Sequence, residues 1–192
     1  MHVTHIRHTL AAAAAAAVLP VAIGIAAPVA AADTGTQPFG PGCSSLPQEG
    51  KGSLSDMAST PVATAAANNP ELETLAAAVK AADLGDTLNN AKDITVFAPT
   101  DAAFEKIPKA DLDALLADKA QLAKVLKYHV VDQDVTQKDL AKGDFTTLEG
   151  SKLTTSGSGD SFTVNDSAKI VCGGIPTANA TVELVDTVLM PK

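Results

Sequence analysis

A chain of 192 residues with 22 acidic against 14 basic side chains has room for one domain behind a leader. Its net charge of −8 repels phosphate backbones, which excludes nucleic acid as a partner. Beyond residue 32 it keeps 13 lysines, no arginine, no tryptophan and one histidine (His129), a net charge of −9. That removes the guanidinium fork used for phosphate and the histidine clusters of hydrolytic triads and metal sites.

The first residues carry Arg7, and residues 10–32 are almost wholly apolar and rich in alanine. An apolar run that ends in small residues at an Ala-x-Ala site reads as a secretory signal cut after Ala32. The same run is long enough to span a bilayer, but Pro20, Gly24 and Pro28 make it a poor permanent helix, so no membrane span is expected after cleavage. Residues 40–42, Gly-Pro-Gly, precede Cys43 without the aliphatic residue that a lipoprotein cleavage box needs. The expected location is therefore extracellular. An even pair of cysteines in an exported chain, Cys43 and Cys172, predicts one disulfide. It would tie a Gly/Pro-rich arm, residues 33–60, to the body that follows, residues 61–192.

From residue 53 the pattern tightens. Thr60 and Pro61 open a short alanine-rich helix, and Asn69, Pro70 and Glu71 open a second that carries Leu72, Leu75 and Val79 at helical spacing up to Gly85. Residues 93–108 then pack several signals together. Ile94, Val96 and Ala98 alternate with Thr95 and Phe97, so a strand covered on both faces is expected. Pro99 has no N–H to continue the ladder, Thr100 can cap a short helix, Asp101 sits at its positive end and Phe104 turns inward.

Beyond residue 108, Leu112, Leu115 and Leu116 form one helical face, and Asp118 with Gln121 has capping-box spacing for the next helix, which Leu122, Val125 and Leu126 carry to Lys127. From Tyr128 the chain is read as extended. Short strands follow at residues 145–148, 152–155, 161–165 and 168–172, with a hairpin loop over 156–160. The last strand is placed at 181–190, with Val182, Leu184, Val188 and Met190 on one face and Val185 and Leu189 on the other. Helices first, one strand among them and a closing run of strands favour an α+β fold.

Residues 95–104, residues 128–129 after a leucine-rich helix and residues 180–191 resemble, in order and spacing, the signatures of the fasciclin domain. The arm and residues 171–180 are further similar to the secreted fasciclin-domain antigens of mycobacteria. The resemblance implies a β-wedge of short strands flanked by several short helices, without cofactor or metal, acting non-enzymatically in adhesion or matrix contact. Thr95, Phe97, Pro99, Thr100, Asp101, Phe104 and Asp186 fall on the structural signatures. In animal matrix members of the family the Tyr-His pair is tied to integrin binding, which maps to Tyr128 and His129. The alternative for that pair is a buried ring and an internally bonded imidazole. The second animal integrin motif, Asp-Ile, is missing: Gly174 precedes Ile175.

Asp186 shares the apolar parity of the last strand, so it is expected to be buried, bonded and bracing the other signatures. Asp132 and Asp134 could face a cation, although two acids in a turn are usually just solvated. Asn165 and Asn179 stand in glycosylation sequons. Two function classes follow: a monomeric adhesion protein with an extracellular protein partner, or a binding module for an apolar, lipid-like ligand. An exposed apolar groove would favour the first and an enclosed cavity the second.

Overall fold

The computed structural model describes residues 37–191, so the leader over 1–32 and its cleavage after Ala32 lie outside the described residues. A 3₁₀ turn, Pro41–Ser45, precedes four short helices: α1 (Leu54–Ser59), α2 (Val62–Asn68), α3 (Glu73–Ala81) and α4 (Gly85–Asn90). Then come β1 (Ile94–Pro99), α5 (Asp101–Glu105), α6 (Lys109–Ala117), α7 (Lys119–Tyr128), β2 (Val130–Val131) and α8 (Gln137–Leu140). Five strands close the chain: β3 (Lys142–Thr146), β4 (Lys152–Ser158), β5 (Ser161–Val164), β6 (Ala168–Pro176) and β7 (Ala180–Val185). This is an α+β fold.

The seven strands form one sheet in the order β2-β1-β7-β6-β5-β4-β3. β1 and β7 run parallel in register, Ile94 beside Ala180 through Pro99 beside Val185, and the other pairs are antiparallel. A bridge between Val131 and Thr147 draws the two ends of the sheet together. All six residues of β1 are buried. On one face, Val96, Val182 and Leu184 join an aliphatic core with the helices, including Leu46 and Met57 from the segment read as the arm. On the other, Phe97 and Val185 join Phe39, Tyr128, Phe145 and Phe162 in a second core inside the wedge. Among the described residues the aromatic side chains thus gather in the wedge, apart from Phe104, which packs in the helical core.

The residues that start each helix explain its position, and several caps come from distant segments. Ser53 Oγ accepts the Asp56 N–H and starts α1, which the sequence reading did not place although Ser53 and Asp56 have capping-box spacing. α3 starts at Glu73 because Asp101, 28 residues on, accepts the N–H groups of Glu73 and Thr74 at 3.3 and 2.8 Å. Thr100 occupies the N-cap of α5, but its side chain makes no capping bond there. Pro99 ends β1 as expected, and Thr100 N–H takes up the next bond to Val185 O at 3.1 Å. Asp118 caps α7, accepting the Ala120 and Gln121 N–H groups at 3.0 and 3.1 Å.

Several boundaries differ from expectation: β3 lies at Lys142–Thr146 rather than 145–148, β4 runs on to Ser158 into the expected hairpin loop, and β6 runs on to Pro176. Tyr128 still belongs to α7 and His129 is its C-cap, so extended chain begins only at Val130. The last strand stops at Val185. Asp186 N–H bonds Lys169 O at 3.0 Å and its carboxylate takes the Lys169 N–H at 2.8 Å, which closes the ladder and turns the chain away. Met190, placed on an apolar strand face by alternation, is 47% exposed.

Candidate functional site

The three signature segments meet around β1. Thr95, fully buried, donates to Gln133 O and accepts the Val135 N–H, both at 2.8 Å, which fixes the loop after β2. Phe97 N–H donates to His129 O at 2.8 Å, joining β1 to the end of α7. Phe104 is buried in the helical core beside Ala103.

Tyr128 and His129 are both buried. The Tyr128 hydroxyl donates to Lys152 O at 3.0 Å and accepts from Asn165 Nδ2 at 2.9 Å. His129 Nδ1 lies 2.7 Å from Val125 O, and Nε2 lies 2.9 Å from Leu189 N. A main-chain N–H can only donate, so Nε2 is the acceptor and Nδ1 carries the proton. Burial holds the imidazole pKa down at about 4, which keeps the ring neutral and this pair of bonds intact. Of the two readings of this pair, the structure matches the buried one: the ring and the imidazole are taken up by internal bonds as a core cross-link.

Asp186 is partly exposed rather than buried, because the strand has ended before it. It does reach residues 93–108, pairing with Lys106 Nζ at 3.0 Å, and its Lys169, Lys106 and Thr187 bonds hold its carboxyl below the usual range against a desolvation that pushes it up. Asp134 accepts from the Thr181 hydroxyl at 2.8 Å, and among the described residues no group of three or more His, Cys, Asp or Glu could hold a metal. Both sequon asparagines spend their amides internally. Asn165 bonds Tyr128, while Asn179 donates to Leu88 O and Ala91 O and accepts the Val62 N–H at the start of α2. Cys43 and Cys172 form the expected disulfide.

The buried carboxylate is one residue class the sequence reading missed. Glu183 on β7 is wholly inaccessible. Its Oε1 accepts the Gly174 N–H at 3.0 Å, while Oε2 is buried without a partner. Burial, with a smaller push from Asp134, raises its pKa to about 8. The alternation that puts Val185 on the wedge face puts Glu183 there too, so its burial was legible from strand parity.

Two spaces bear on ligands and partners. Between the helices and the sheet lies an apolar cavity of about 30 Å³, lined by residues such as Met57, Leu75, Val79 and Leu126. An open groove of about 570 Å³ runs between α6, α7 and the C-terminal segment, lined by Ile107, Asp111, Leu115, Lys124 and the exposed Met190.

Residues 70–191 match the family model of the fasciclin domain, and the chain belongs to that family. It is 41% identical to the immunogenic protein MPB70 of Mycobacterium bovis, over 97% of this chain and 98% of that protein. It is 45% identical to the cell surface glycolipoprotein MPB83 of the same species, over 86% of this chain and 79% of that protein. Among solved structures, a FAS1 domain pair from the insect cell adhesion molecule Fasciclin I superposes with a TM-score of 0.57 at 19% identity, over 69% of this chain. The chain spans about half the length of that pair (51%), and the likeness shows the fold.

Proposed function

We propose that this protein is a secreted, non-enzymatic adhesion or interaction protein that docks an extracellular protein partner through the groove between α6, α7 and the C-terminal segment. The observation that carries the reading is where the apolar space lies. The internal apolar cavity, about 30 Å³, is far below the roughly 300–1,000 Å³ of small-molecule sites, whereas the groove lies open at the surface with an exposed apolar lip. Its lip, Met190, is an adaptable apolar side chain held at the surface. The His129 bond to Leu189 N–H fixes the residue just before Met190. The Tyr-His signature therefore acts on the groove indirectly, as a positioning element.

Relatives named as immunogenic and cell-surface proteins support an extracellular setting. Among the described residues no helix is long and apolar enough to cross a membrane. Cys43 is consumed by its intrachain disulfide, which leaves no thiol there for a lipid or for a bridge to a second copy. The acidic surface favours a basic face on the partner.

The test is a binding screen against immobilised matrix proteins and integrin ectodomains, repeated with Met190→Glu. The expected result is specific binding that falls at least tenfold in M190E with melting unchanged. Copurification of a lipid without any matrix binding would replace this reading with the ligand-module alternative.

A further inference from the structure

The unpartnered Glu183 oxygen lies where the N-terminal arm meets the sheet. At that point β6 carries irregular register, between Cys172 and Ile175, and its edge is paired by one arm residue, with Gly40 and Gly42 packed close on the neighbouring Val171 backbone. Phe39 N–H donates to Gly173 O at 2.9 Å and Gly173 N–H to Phe39 O at 2.8 Å. The Phe39 ring packs edge-on against Phe162, centroids 5.4 Å apart. A Cβ on Gly173 would run into both Glu183 Oε2 and the Phe39 ring, so carboxyl and ring meet over the bare glycine backbone. Gly174, at φ +66°, turns its N–H onto Glu183 Oε1.

The other groups around Glu183 give its charge no relief. Phe97 stands beside it on β1, β6 offers one N–H, and Asp134, from the loop after β2, adds a like charge. A carboxylate with one hydrogen bond cannot stay sealed under an aromatic ring when a short movement would hydrate it.

We propose that the arm is a pH-gated lid: ionisation of Glu183 lifts Phe39 off Gly173 and frees the main-chain edge of β6, while the Cys43–Cys172 disulfide keeps the arm tethered. With the lid closed the carboxyl ionises at about 8, and with the lid open it meets water and returns to about 4.5. The opening equilibrium then rises about tenfold per pH unit between those values and levels off above pH 8.

Amide exchange followed by NMR on the purified protein from pH 5 to 9, corrected for intrinsic rates, tests this. The protection of Phe39 and Gly173 N–H should fall about tenfold per unit up to pH 8. That of Phe97 N–H, bonded to His129 O beside Glu183, should stay flat between pH 5 and 6.5. In Glu183→Gln, which keeps size and removes the charge, Phe39 and Gly173 should lose their slope. Flat protection in the natural chain, an equal slope in E183Q, or the same slope at Phe97 below pH 6.5 would each overturn the lid.

Discussion

His129 and Glu183 are both ionisable side chains sealed in the interior, and the fold holds them in opposite ways. At the end of α7, His129 has both ring nitrogens bonded, one to Val125 O and one to Leu189 N–H. On β7, Glu183 has one oxygen bonded and the other bare. The histidine joins a helix end to the C-terminal segment and must stay neutral to do so. The carboxyl faces an aromatic lid and must stay protonated. One region is a closed polar network and the other is half-satisfied, and the pH response of the molecule follows from that difference.

The largest way to separate the two regions is to cut the disulfide. It spans 129 residues, and chain-entropy estimates give up to about 5 kcal/mol for so long a loop. Cys43→Ser with Cys172→Ser should therefore lower unfolding free energy in urea by several kcal/mol. The damage belongs to the Glu183 side, so the acid sensitivity set by His129 should survive in the variant. An unchanged urea midpoint would show that the arm contributes little to the fold.

His129→Ala comes next. It orphans the buried Leu189 N–H, takes one of two donors from Val125 O and leaves a cavity, which together cost about 3 kcal/mol. The pH dependence gives it a signature that a mere cavity lacks. The folded pKa of His129 is depressed from 6.5 to about 4, so its contribution is whole above pH 6.5 and is lost as pH falls toward 4, about 3 kcal/mol in all. In the natural chain Glu183 offsets that loss above pH 4.5, so H129A should instead gain stability as pH falls from 6.5 to 4.5; a profile that stays level there would point to other groups.

Glu183 runs the other way. Its folded pKa is raised from 4.5 to about 8, so its contribution is whole below 4.5 and is lost as pH rises to 8. Between pH 4.5 and 6.5 the folded and unfolded chains each hold one proton on this pair, and the two slopes cancel. Stability should be level across that window, then fall by about 2 kcal/mol between pH 6.5 and 8. Glu183→Gln should abolish the alkaline fall and uncover the histidine slope from pH 6.5 down. Asp139 and Asp186, both held below the usual carboxylate range, add their losses only at more acid pH. An alkaline fall that survives in E183Q would rule out Glu183 as its source.

How far these regions could be read from sequence differs for a physical reason. Strand β1 was legible because its alternation, its terminal Pro99 and the inward Phe104 are local signals. The α+β order was legible for the same reason, as was the cap at Asp118. What sequence hid were groups satisfied from a distance. Asp101 looks like a cap for its own helix and also serves α3, and Asn179 looks like a sequon and caps α2. Tyr128 and His129 carried a surface role by resemblance, yet their partners Lys152, Asn165 and Leu189 come from three later segments. Glu183 was visible in principle, since parity places it beside Val185. Its bare oxygen was not, because that depends on how Phe39 and Gly173 close over it.

Asp186, another ionisable residue of the signatures, gives the smallest expected effect. Parity along a strand of ten residues would have buried it like Glu183, but β7 ends one residue earlier. Its side chain is 29% exposed and its ion partner Lys106 is 52% exposed, so water screens the pair. Such pairs contribute about 0–1 kcal/mol, and the bond from Lys169 N–H adds about 1 kcal/mol. Asp186→Ala should thus lower stability by about 1 kcal/mol, while Lys106→Ala, which spares the Lys169 bond, should lower it less and in a salt-dependent way. Thermal melts of both variants at low and high salt decide the matter. A loss in D186A as large as that of H129A would mean that Asp186 behaves as a buried network member, and that exposure is no guide to which signature residues carry the fold.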